Sequence, residues 1–511
     1  MVSDDAPLRW NWLLSDSGVV TVVIAVAGLG VAVLLWMLNV AGHAPDTGAA
    51  NKSMLRIEAI KYGLGSIAAG GAVAALLLAL RRQALSERAQ RHAERAQRFS
   101  ESDALEQRAT ALYVAAANQL GSDKAAVRLA GLYALERLGQ DEPKLRQTVV
   151  DVWCSYLRMP YTPPAEVLQR NDERSPTRPA EGAEPPDGAL ESERRQELQV
   201  RLTAQRLLAA HMSRDLAEAG EATYWLDHRG NRMVVDLVGA VLVGFTLNSC
   251  DVGRCDLSDA QFHGMADFVG VQFRTAAYLA RTHFHGEAVL RGAQFHGEAV
   301  LRGAQFHGEA DLSVAQFHGN ADLFGARFHG DADLSGARFH RAAFLRRAQF
   351  HGDGFLRGAQ FHSNAVLRAA QFHDVADLRG AQFHDAADLR GTEFHDAADL
   401  RGAQFHGDAD LLRAQFHDVA DLRGTEFHGD AVLRGVQFHG DANLSEAQFH
   451  GRLDMRSAMA VSSVVVPAGW GLSSALVQQD ELRAVIEADR VSAEQHGSDE
   501  PNVASGESLN E

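Results

Sequence analysis

The stretch that decides the fold is "ADLRGAQFHDAADLRGTEFHDAADLRGAQFH", residues 376–406. Its large apolar residues stand alternately five and six positions apart. They are Leu378, Phe383, Leu389, Phe394, Leu400 and Phe405. A small residue, alanine or threonine, stands two positions before each of them. We expect the large residue and the small one to face inward in every unit while the others face water, which is a solenoid pattern.

The pattern continues over most of the second half of the chain. Phenylalanine recurs at every eleventh position from Phe262 to Phe449, and a second apolar series, mostly leucine, follows it by six positions. A period of eleven could also indicate a right-handed coiled coil. However, glycine recurs at almost every unit, and each glycine would cost a helix about 1 kcal/mol. The sequence therefore predicts an all-β solenoid over residues 237–460.

The units "ADLRG" at residues 376–380, 387–391 and 398–402 resemble the pentapeptide-repeat family, whose motif is A(D/N)LXX. The resemblance implies a right-handed, quadrilateral β-helix. This chain departs from the motif by one extra residue in each pair of units, as in a variant of the family with phenylalanine at its centres. We expect each coil to hold two units, or twenty-two positions, in a stack of about ten coils. Coils of one unit would make the rod twice as long.

Histidine follows each of these phenylalanines except Phe273, where Arg274 interrupts the column. If a coil holds two units, alternate histidines form ladders on opposite sides, about 4.8 Å apart along each ladder. That spacing is too wide for two neighbours to bind one ion at about 2.0–2.1 Å without bending toward each other. We therefore expect solvent-facing ladders, no cofactor and no metal. The candidate ligands, if a metal did bind, are His373, His384, His395 and His406.

The chain begins with two apolar runs. Residues 18–40 carry no charge over a length that spans a hydrocarbon core of about 30 Å, and residues 64–80 are the second run. We predict a two-helix transmembrane hairpin within residues 1–80. The run "RRQALSERAQRHAERAQR" at residues 81–98 is rich in arginine, which predicts that both termini and the β-helix are cytoplasmic. The stretch "QLGSDKAAVRLAGLYALERL", residues 119–138, resembles bacterial membrane proteins that join a hairpin anchor to such repeats, and this resemblance implies a bacterial plasma membrane. Ser66, Gly70 and Ala74 share a face that either contacts lipid or forms a homodimer.

The remaining segments are assigned by composition and periodicity. Residues 81–159 read as a helical segment, with Ser122 as an N-cap and Gly139 as a C-cap. Residues 160–192 are rich in proline and acid and predict a disordered linker. Residues 193–236 are expected to form a helix and the N-terminal cap of the solenoid. Residues 461–491 predict a C-terminal cap covered by Trp470 and a short helix, and residues 492–511 a disordered tail.

Charge and motifs restrict the function. The 66 acidic and 49 basic residues give a formal charge of −17, which argues against nucleic-acid binding through phosphates. The sequence contains no P-loop, Rossmann glycine pattern, HExxH motif or nucleophile elbow, so we expect no enzyme and no small-molecule substrate. The favoured function is a membrane-tethered scaffold that binds an unknown protein. The resemblance implies one alternative, a DNA mimic that binds topoisomerases, as some members of the family do, and the 28 acids against 19 arginines of residues 237–455 are a modest excess in its favour. The other alternative is a histidine-rich metal-binding rod.

Overall fold

The structure is a computed structural model, and it describes residues 16–43, 49–172, 188–467, 470–472, 484–486 and 488–490. Contacts divide the chain into two compact units, Met1–Arg108 and Ala109–Glu511. The helices, in chain order, are α1 (Asp16–Gly42), α2 (Ala49–Leu120), α3 (Ala125–Asp141), a 3₁₀ turn (Pro143–Leu145), α4 (Arg146–Arg158), α5 (Ala165–Asp172), α6 (Gly188–Ala210) and α7 (Arg214–Glu218).

The first unit contains α1 and most of α2. Within the part of the chain that the structure describes, one helical stretch, Val20–Val40, is long and apolar enough to cross a membrane. The second predicted run, residues 64–80, lies inside α2, which continues without a break through the arginine-rich run. Gly70 lies against Val26 of α1, since a Cβ at Gly70 would come within 2.7 Å of the Val26 side chain. One residue of the small-residue face therefore packs within the first unit.

Helices α3, α4 and α6 pack on one another at the start of the second unit, around the buried side chains of Leu135, Trp153 and Leu208. The two predicted caps of α3 were wrong. Lys124, not Ser122, precedes the helix, and the Ser122 hydroxyl accepts a hydrogen bond from the Lys124 backbone N–H instead. The helix continues past Gly139 because that glycine is a packing position. A Cβ there would come within 2.4 Å of the Trp225 ring.

The predicted disordered linker, residues 160–192, was wrong where the structure describes it. Helix α5 occupies Ala165–Asp172, and α6 begins at Gly188, ahead of the predicted start at Glu193. The backbone N–H of Ala165 donates to the Glu191 carboxylate, and Arg195 pairs with Glu166, so the two helices hold each other. Residues 173–187 lie outside the described residues, as do residues 491–511, which contain the predicted disordered tail.

The solenoid has four parallel β-sheets, which we name by the apolar residue at their centres. The strands of Phe face 1 are Val241–Val243, Gln261–His263, one short strand per coil from His283–Phe284 to Gln437–Phe438, Ala458–Ala460 and Ala484–Ile486. Those of Phe face 2 are Asp251–Val252 and one per coil from Gln272–Phe273 to Gln448–Phe449. Those of Leu face 1 are Val235–Asp236, Cys255–Asp256 and one per coil from Ala277–Tyr278 to Leu453–Asp454. Those of Leu face 2 recur once per coil from Ala266–Asp267 to Val464–Val465.

The strand register confirms that a coil holds two units. Gln294 pairs with Gln316 and Ala288 with Ala310, so each strand pairs with the strand twenty-two positions along the chain. The first coil is shorter, because Val235 pairs with Cys255, as four strict five-residue units require. The four sheets contain between 10 and 12 strands each, in agreement with the predicted quadrilateral solenoid.

The extra residue lies in the corner that follows each phenylalanine. The corner after each leucine is a tight turn, as at Leu378, whose carbonyl accepts the Ala381 N–H at 3.1 Å. Gly380, in between, has φ +61°, a conformation that glycine adopts without strain. The corner after Phe383 has one residue more and lacks that turn hydrogen bond, since the Phe383 carbonyl accepts instead from His406 in the next coil.

The interior is filled by the predicted centres. Leu378, Phe383, Leu389, Phe394, Leu400 and Phe405 are all buried, with at most 1% of their surface exposed. Phenylalanine rings of successive coils stack at 4.5–5.1 Å between ring centres. Such rows of stacked rings add to the apolar burial. The core of the solenoid is continuous with that of the helices through Met212, Trp225 and Met233.

The predicted C-terminal helix is wrong in its described part. Ala484–Ile486 forms a strand that pairs antiparallel with Ala458–Ala460, and Ala488–Arg490 pairs antiparallel with Trp470–Leu472. The last strand of Phe face 1 would otherwise leave its N–H and C=O groups open, and the antiparallel strand covers that edge. Residues 473–483 lie outside the described residues.

Candidate functional site

The outer surface of each Phe face carries a ladder of imidazoles. Nine histidines from His263 to His439 lie on Phe face 1, and eight from His296 to His450 lie on Phe face 2. Neighbouring rings are stacked, with centres 4.6–5.3 Å apart. The side chains are exposed or half-buried, except for His263, which is buried. The two ladders on opposite sides are those expected from the alternation of units.

The residue before each phenylalanine points out of the same face and forms a second column, mostly of glutamine. The Gln349 amide donates to Gln371 at 3.1 Å, and Gln371 donates to Glu393 at 2.9 Å. Each Phe face therefore presents two parallel columns of polar side chains, amides beside imidazoles. A histidine, His283, replaces glutamine at one position of this column.

The imidazoles titrate below their ordinary range at several positions. Burial lowers the pKa of His307, and the neighbouring His285 and His283 lower it further. Burial and His351 lower the pKa of His373 in the same way. A lowered pKa favours the neutral imidazole at pH 7, so these two side chains offer hydrogen-bonding groups without charge.

The four histidines considered for a metal do not gather at one place. His373 and His395 lie on Phe face 1 with ring centres 4.8 Å apart, and His384 and His406 lie on Phe face 2, 5.0 Å apart. The carboxylates that follow are turned into the corners, where Asp385 and Asp396 accept the backbone N–H of the next residue. Among the residues that the structure describes, no three His, Cys, Asp or Glu side chains are grouped so as to hold a metal ion.

The Leu faces carry charges in place of amides and imidazoles. Arg390 pairs with Asp388 of its own coil at 2.6 Å and approaches Asp410 of the next coil at 3.5 Å. Arg401 does the same with Asp399 and Asp421. Burial raises the pKa of Asp388, but hydrogen bonds from Arg390 and its charge outweigh burial and hold it below its ordinary value. These aspartates are thus paired with arginines within the protein.

Arg274, the break in the histidine column, belongs to an ion cluster that sequence reasoning missed. The buried Asp251 accepts from Arg274 at 2.7 Å, from Arg232 at 2.9 Å and from Arg214 of α7 at 2.8 Å. Burial alone would raise the pKa of Asp251, but these arginines hold it below its ordinary value. The cluster joins the first coils to the helical cap. The one departure from histidine in the column was the signal that could have revealed it.

The cysteines and one histidine also serve the junction between helices and solenoid. Burial raises the pKa of the Cys154 and Cys250 thiols to about 12, so neither is a thiolate nucleophile at neutral pH. Cys255 is fully buried as well. His211 is stacked on Trp225, with ring centres 3.9 Å apart, and its ring nitrogens bond the Thr223 carbonyl and the Glu136 carboxylate. These contacts are structural.

Comparison with known families identifies the solenoid. A family model described as pentapeptide repeats (9 copies) matches residues 268–316, 279–327, 323–371, 367–415 and 412–459. Comparisons with curated proteins and with solved structures gave no match. The matched segments lie within the four-sided stack of two-unit coils, where the inward centres and the small inward residues repeat as the motif requires. The solenoid of this chain therefore belongs to the pentapeptide-repeat family.

Proposed function

We propose that the protein is a non-enzymatic scaffold, tethered to a bacterial plasma membrane, that presents its solenoid to a protein partner in the cytoplasm. The observation that carries the proposal is the filled interior beneath repeating outer faces. The inward phenylalanines and leucines between Phe262 and Leu444 are buried to 2% exposure or less, so a ligand meets the outside of the coils. Flat faces with one side-chain pattern per coil are typical of repeat proteins that bind other proteins.

The tether is supported by the apolar surface of α1. Ile24, Leu35 and Trp36 are each about two-thirds exposed, at 65%, 61% and 64%, which is unfavourable in water and favourable in lipid. The uncharged residues 64–80 of α2 supply the second span of a hairpin. The arginines of residues 81–98 then favour a cytoplasmic location for both termini and for the solenoid.

The Phe faces are the surfaces proposed for binding. Most of their outer side chains are glutamine amides and histidines, with charged exceptions in the glutamine column, whereas the Leu faces bear Asp–Arg pairs that already satisfy each other. These exceptions are Arg327, Arg338, Glu393 and Glu426. Covering a neutral polar column costs less desolvation than covering paired charges. A second copy of the chain is one partner that such a surface could accept, and a different protein is the other.

DNA mimicry gains no support from these faces. A mimic needs rows of carboxylates that stand in for phosphates, but Asp388, Asp399 and Asp421 are each paired with an arginine of their own coil. The acidic excess of residues 237–455 is therefore less available to a topoisomerase than the count of charges indicates. The proposal accordingly includes no nucleic acid and no small-molecule substrate.

Photo-crosslinking in intact cells tests the choice of face. A photoreactive amino acid replaces Gln360 on Phe face 2 in one variant and Val366 on Leu face 1 in the other. Both positions are half-buried and lie on neighbouring strands, so the probes differ in face and little else. We expect discrete protein adducts from Gln360 and none from Val366. Equal adducts from both positions, or adducts from Val366 alone, would contradict the assignment.

A further inference from the structure

The triplet His283-Phe284-His285 is the only place in the chain where two histidines stand two positions apart. The two residues flank the inward Phe284 on one strand of Phe face 1, so both side chains leave the strand on its outer side. His283 occupies the column that holds glutamine in most coils, and it pairs with Gln261 and Gln305 in the coils before and after it.

This extra histidine turns a line of imidazoles into a triangle. The ring centre of His283 lies 6.1 Å from that of His285 and 6.3 Å from that of His307 in the next coil. The third side, from His285 to His307, is 5.3 Å. Three imidazoles bound to a tetrahedral zinc ion have ring centres roughly 5 Å apart, given Zn–N distances of about 2.0–2.1 Å. The side from His285 to His307 is close to that arrangement, and the two sides from His283 exceed it by slightly more than about 1 Å.

The rest of the ladder lacks this property. His373 has one neighbour at 4.6 Å and another at 4.8 Å, but these two lie on opposite sides of it in one row. The two outer rings of such a row are separated by twice the coil spacing, about 10 Å. One ion therefore cannot bind three histidines of a single column. A site with three ligands therefore needs a histidine in the neighbouring column, and Phe face 1 has one at His283.

We infer that His283, His285 and His307 form a site for one zinc ion on the outer surface of Phe face 1. Imidazole is a preferred ligand of zinc, and three protein ligands leave the fourth position to water or to a group from a partner. The three rings are now nearly parallel, at 4° to 20°, and within the described residues no three donors converge. Binding requires the rings to turn about their side-chain bonds until one nitrogen of each faces the ion.

Two of the three rings are open to solvent, which leaves room for that rotation. His283 is half-buried and His307 is exposed, so each ring has solvent on one side. Asp259, whose pKa is lowered by Arg281 and more weakly by His283, is held by Arg281 at 2.6 Å and stays outside the ligand set.

Two single substitutions in the full-length protein test the site. His283→Gln restores the glutamine of the column and keeps the repeat intact. His373→Gln removes a ladder histidine that has no such neighbour. The protein is purified without a metal-affinity step, titrated with Zn²⁺ by equilibrium dialysis, and titrated separately with Co²⁺, whose visible absorption reports tetrahedral binding.

We expect one tightly bound ion in the wild-type protein and in His373→Gln. In His283→Gln the affinity should fall by at least about 100-fold, because losing even an outer-shell partner of a ligand costs roughly 10–100-fold. Circular dichroism should show that both variants remain folded. Equal uptake by all three proteins, equal losses in both variants, or no tight ion in the wild-type protein would overturn the assignment.

Discussion

The Phe faces and the Leu faces are stacked by the same strand register, yet they differ in chemistry and in their corners. Most Phe strands carry glutamine and histidine on their outer side, whereas many Leu sides carry aspartate and arginine. The Leu corner is a tight turn with a residue at positive φ, and the Phe corner is one residue longer. One chain can thus build two pairs of faces with different outer chemistry on a single apolar core.

The inward residues hold the solenoid together, whereas the outer side chains of the four faces are the groups that other molecules can contact. The inward centres are equally buried on all four sides, so the apolar stabilisation is shared. The charges of the Leu faces neutralise one another, while the Phe faces keep groups that can bind protons, metal or protein. The predictions below test this division.

The largest effect is expected from the core of a Phe face. Phe383 is stacked between Phe361 at 4.9 Å and Phe405 at 4.7 Å. Phe383→Ala should lower the free energy of unfolding by about 3–5 kcal/mol, through lost burial and the cavity left behind. Leu389→Ala on the adjoining Leu face should cost about 1 kcal/mol less, because it breaks no ring stack. Urea unfolding followed by circular dichroism measures both, and equal losses would remove the distinction between the faces.

The next effect concerns the charged end of Phe face 2. Asp251→Ala leaves Arg214, Arg232 and Arg274 without their common carboxylate. We expect a loss of about 2–4 kcal/mol, below the upper range for a fully buried pair because the arginines are partly exposed. Asp388→Ala is the matched control, because Asp388 has one close arginine partner, Arg390. It should lower the free energy of unfolding by less than Asp251→Ala does. A larger loss in the control would show that Asp251 does not anchor the cap.

Acid should destabilise the Phe faces. Burial and neighbouring histidines lower the pKa of His307, His329, His351 and His373 in the folded protein. The unfolded chain, with histidine pKa values near about 6.5, then binds more protons than the folded chain, so stability falls as the pH falls through that value. The melting temperature should be constant above about pH 7.5 and drop toward about pH 5.5. A flat profile would contradict the prediction.

A smaller effect is expected at the Leu corners. Val314 has φ +50° at a position where Gly292 and Gly336 stand in the neighbouring coils. A β-branched residue is strained in this conformation by about 1–2 kcal/mol, so Val314→Gly should stabilise the protein by about 1 kcal/mol after the entropy of glycine is counted. Gly292→Val should do the reverse. Thermal unfolding measures both, and two changes of the same sign would be inconsistent with strain at this corner.

The smallest effect is expected on the charged ladders. Arg401 pairs with Asp399 and Asp421, and its side chain is 41% exposed. Arg401→Gln should lower stability less than the substitutions above, because exposed ion pairs contribute little. The loss should shrink further in about 1 M salt, since salt screens such pairs. A loss that is unchanged by salt would indicate packing of the arginine stem instead.

The repeated part was predictable because its pattern is periodic and its physics is simple. Leu378 and Phe383, with a small residue two positions earlier, could only face inward, and the alternating spacing of five and six led to the two-unit coil. The face that each histidine occupies followed from the same counting. His283 was visible in the sequence, but its proximity to His307 depends on which strands stack.

The ends were harder, because tertiary contacts decide them. Gly139 reads as a helix C-cap, but it is small so that Trp225 can lie against it. The prolines and acids around residue 165 read as disorder, but Glu191 and Arg195, far along the chain, bind that segment. The sequence near residues 484–490 has helical periodicity, yet Ala484–Ile486 pairs as a strand with the open edge of Phe face 1. No local sequence pattern indicates these tertiary contacts.

The proposed membrane anchor and cytoplasmic solenoid are tested most directly by alkaline carbonate washing of membranes, followed by protease treatment of spheroplasts. The full-length protein should stay in the washed membranes, and a variant that lacks residues 1–80 should be soluble. The solenoid should resist protease in intact spheroplasts and be cleaved once they are lysed. Release of the full-length protein by carbonate, or cleavage of the solenoid in intact spheroplasts, would contradict the account.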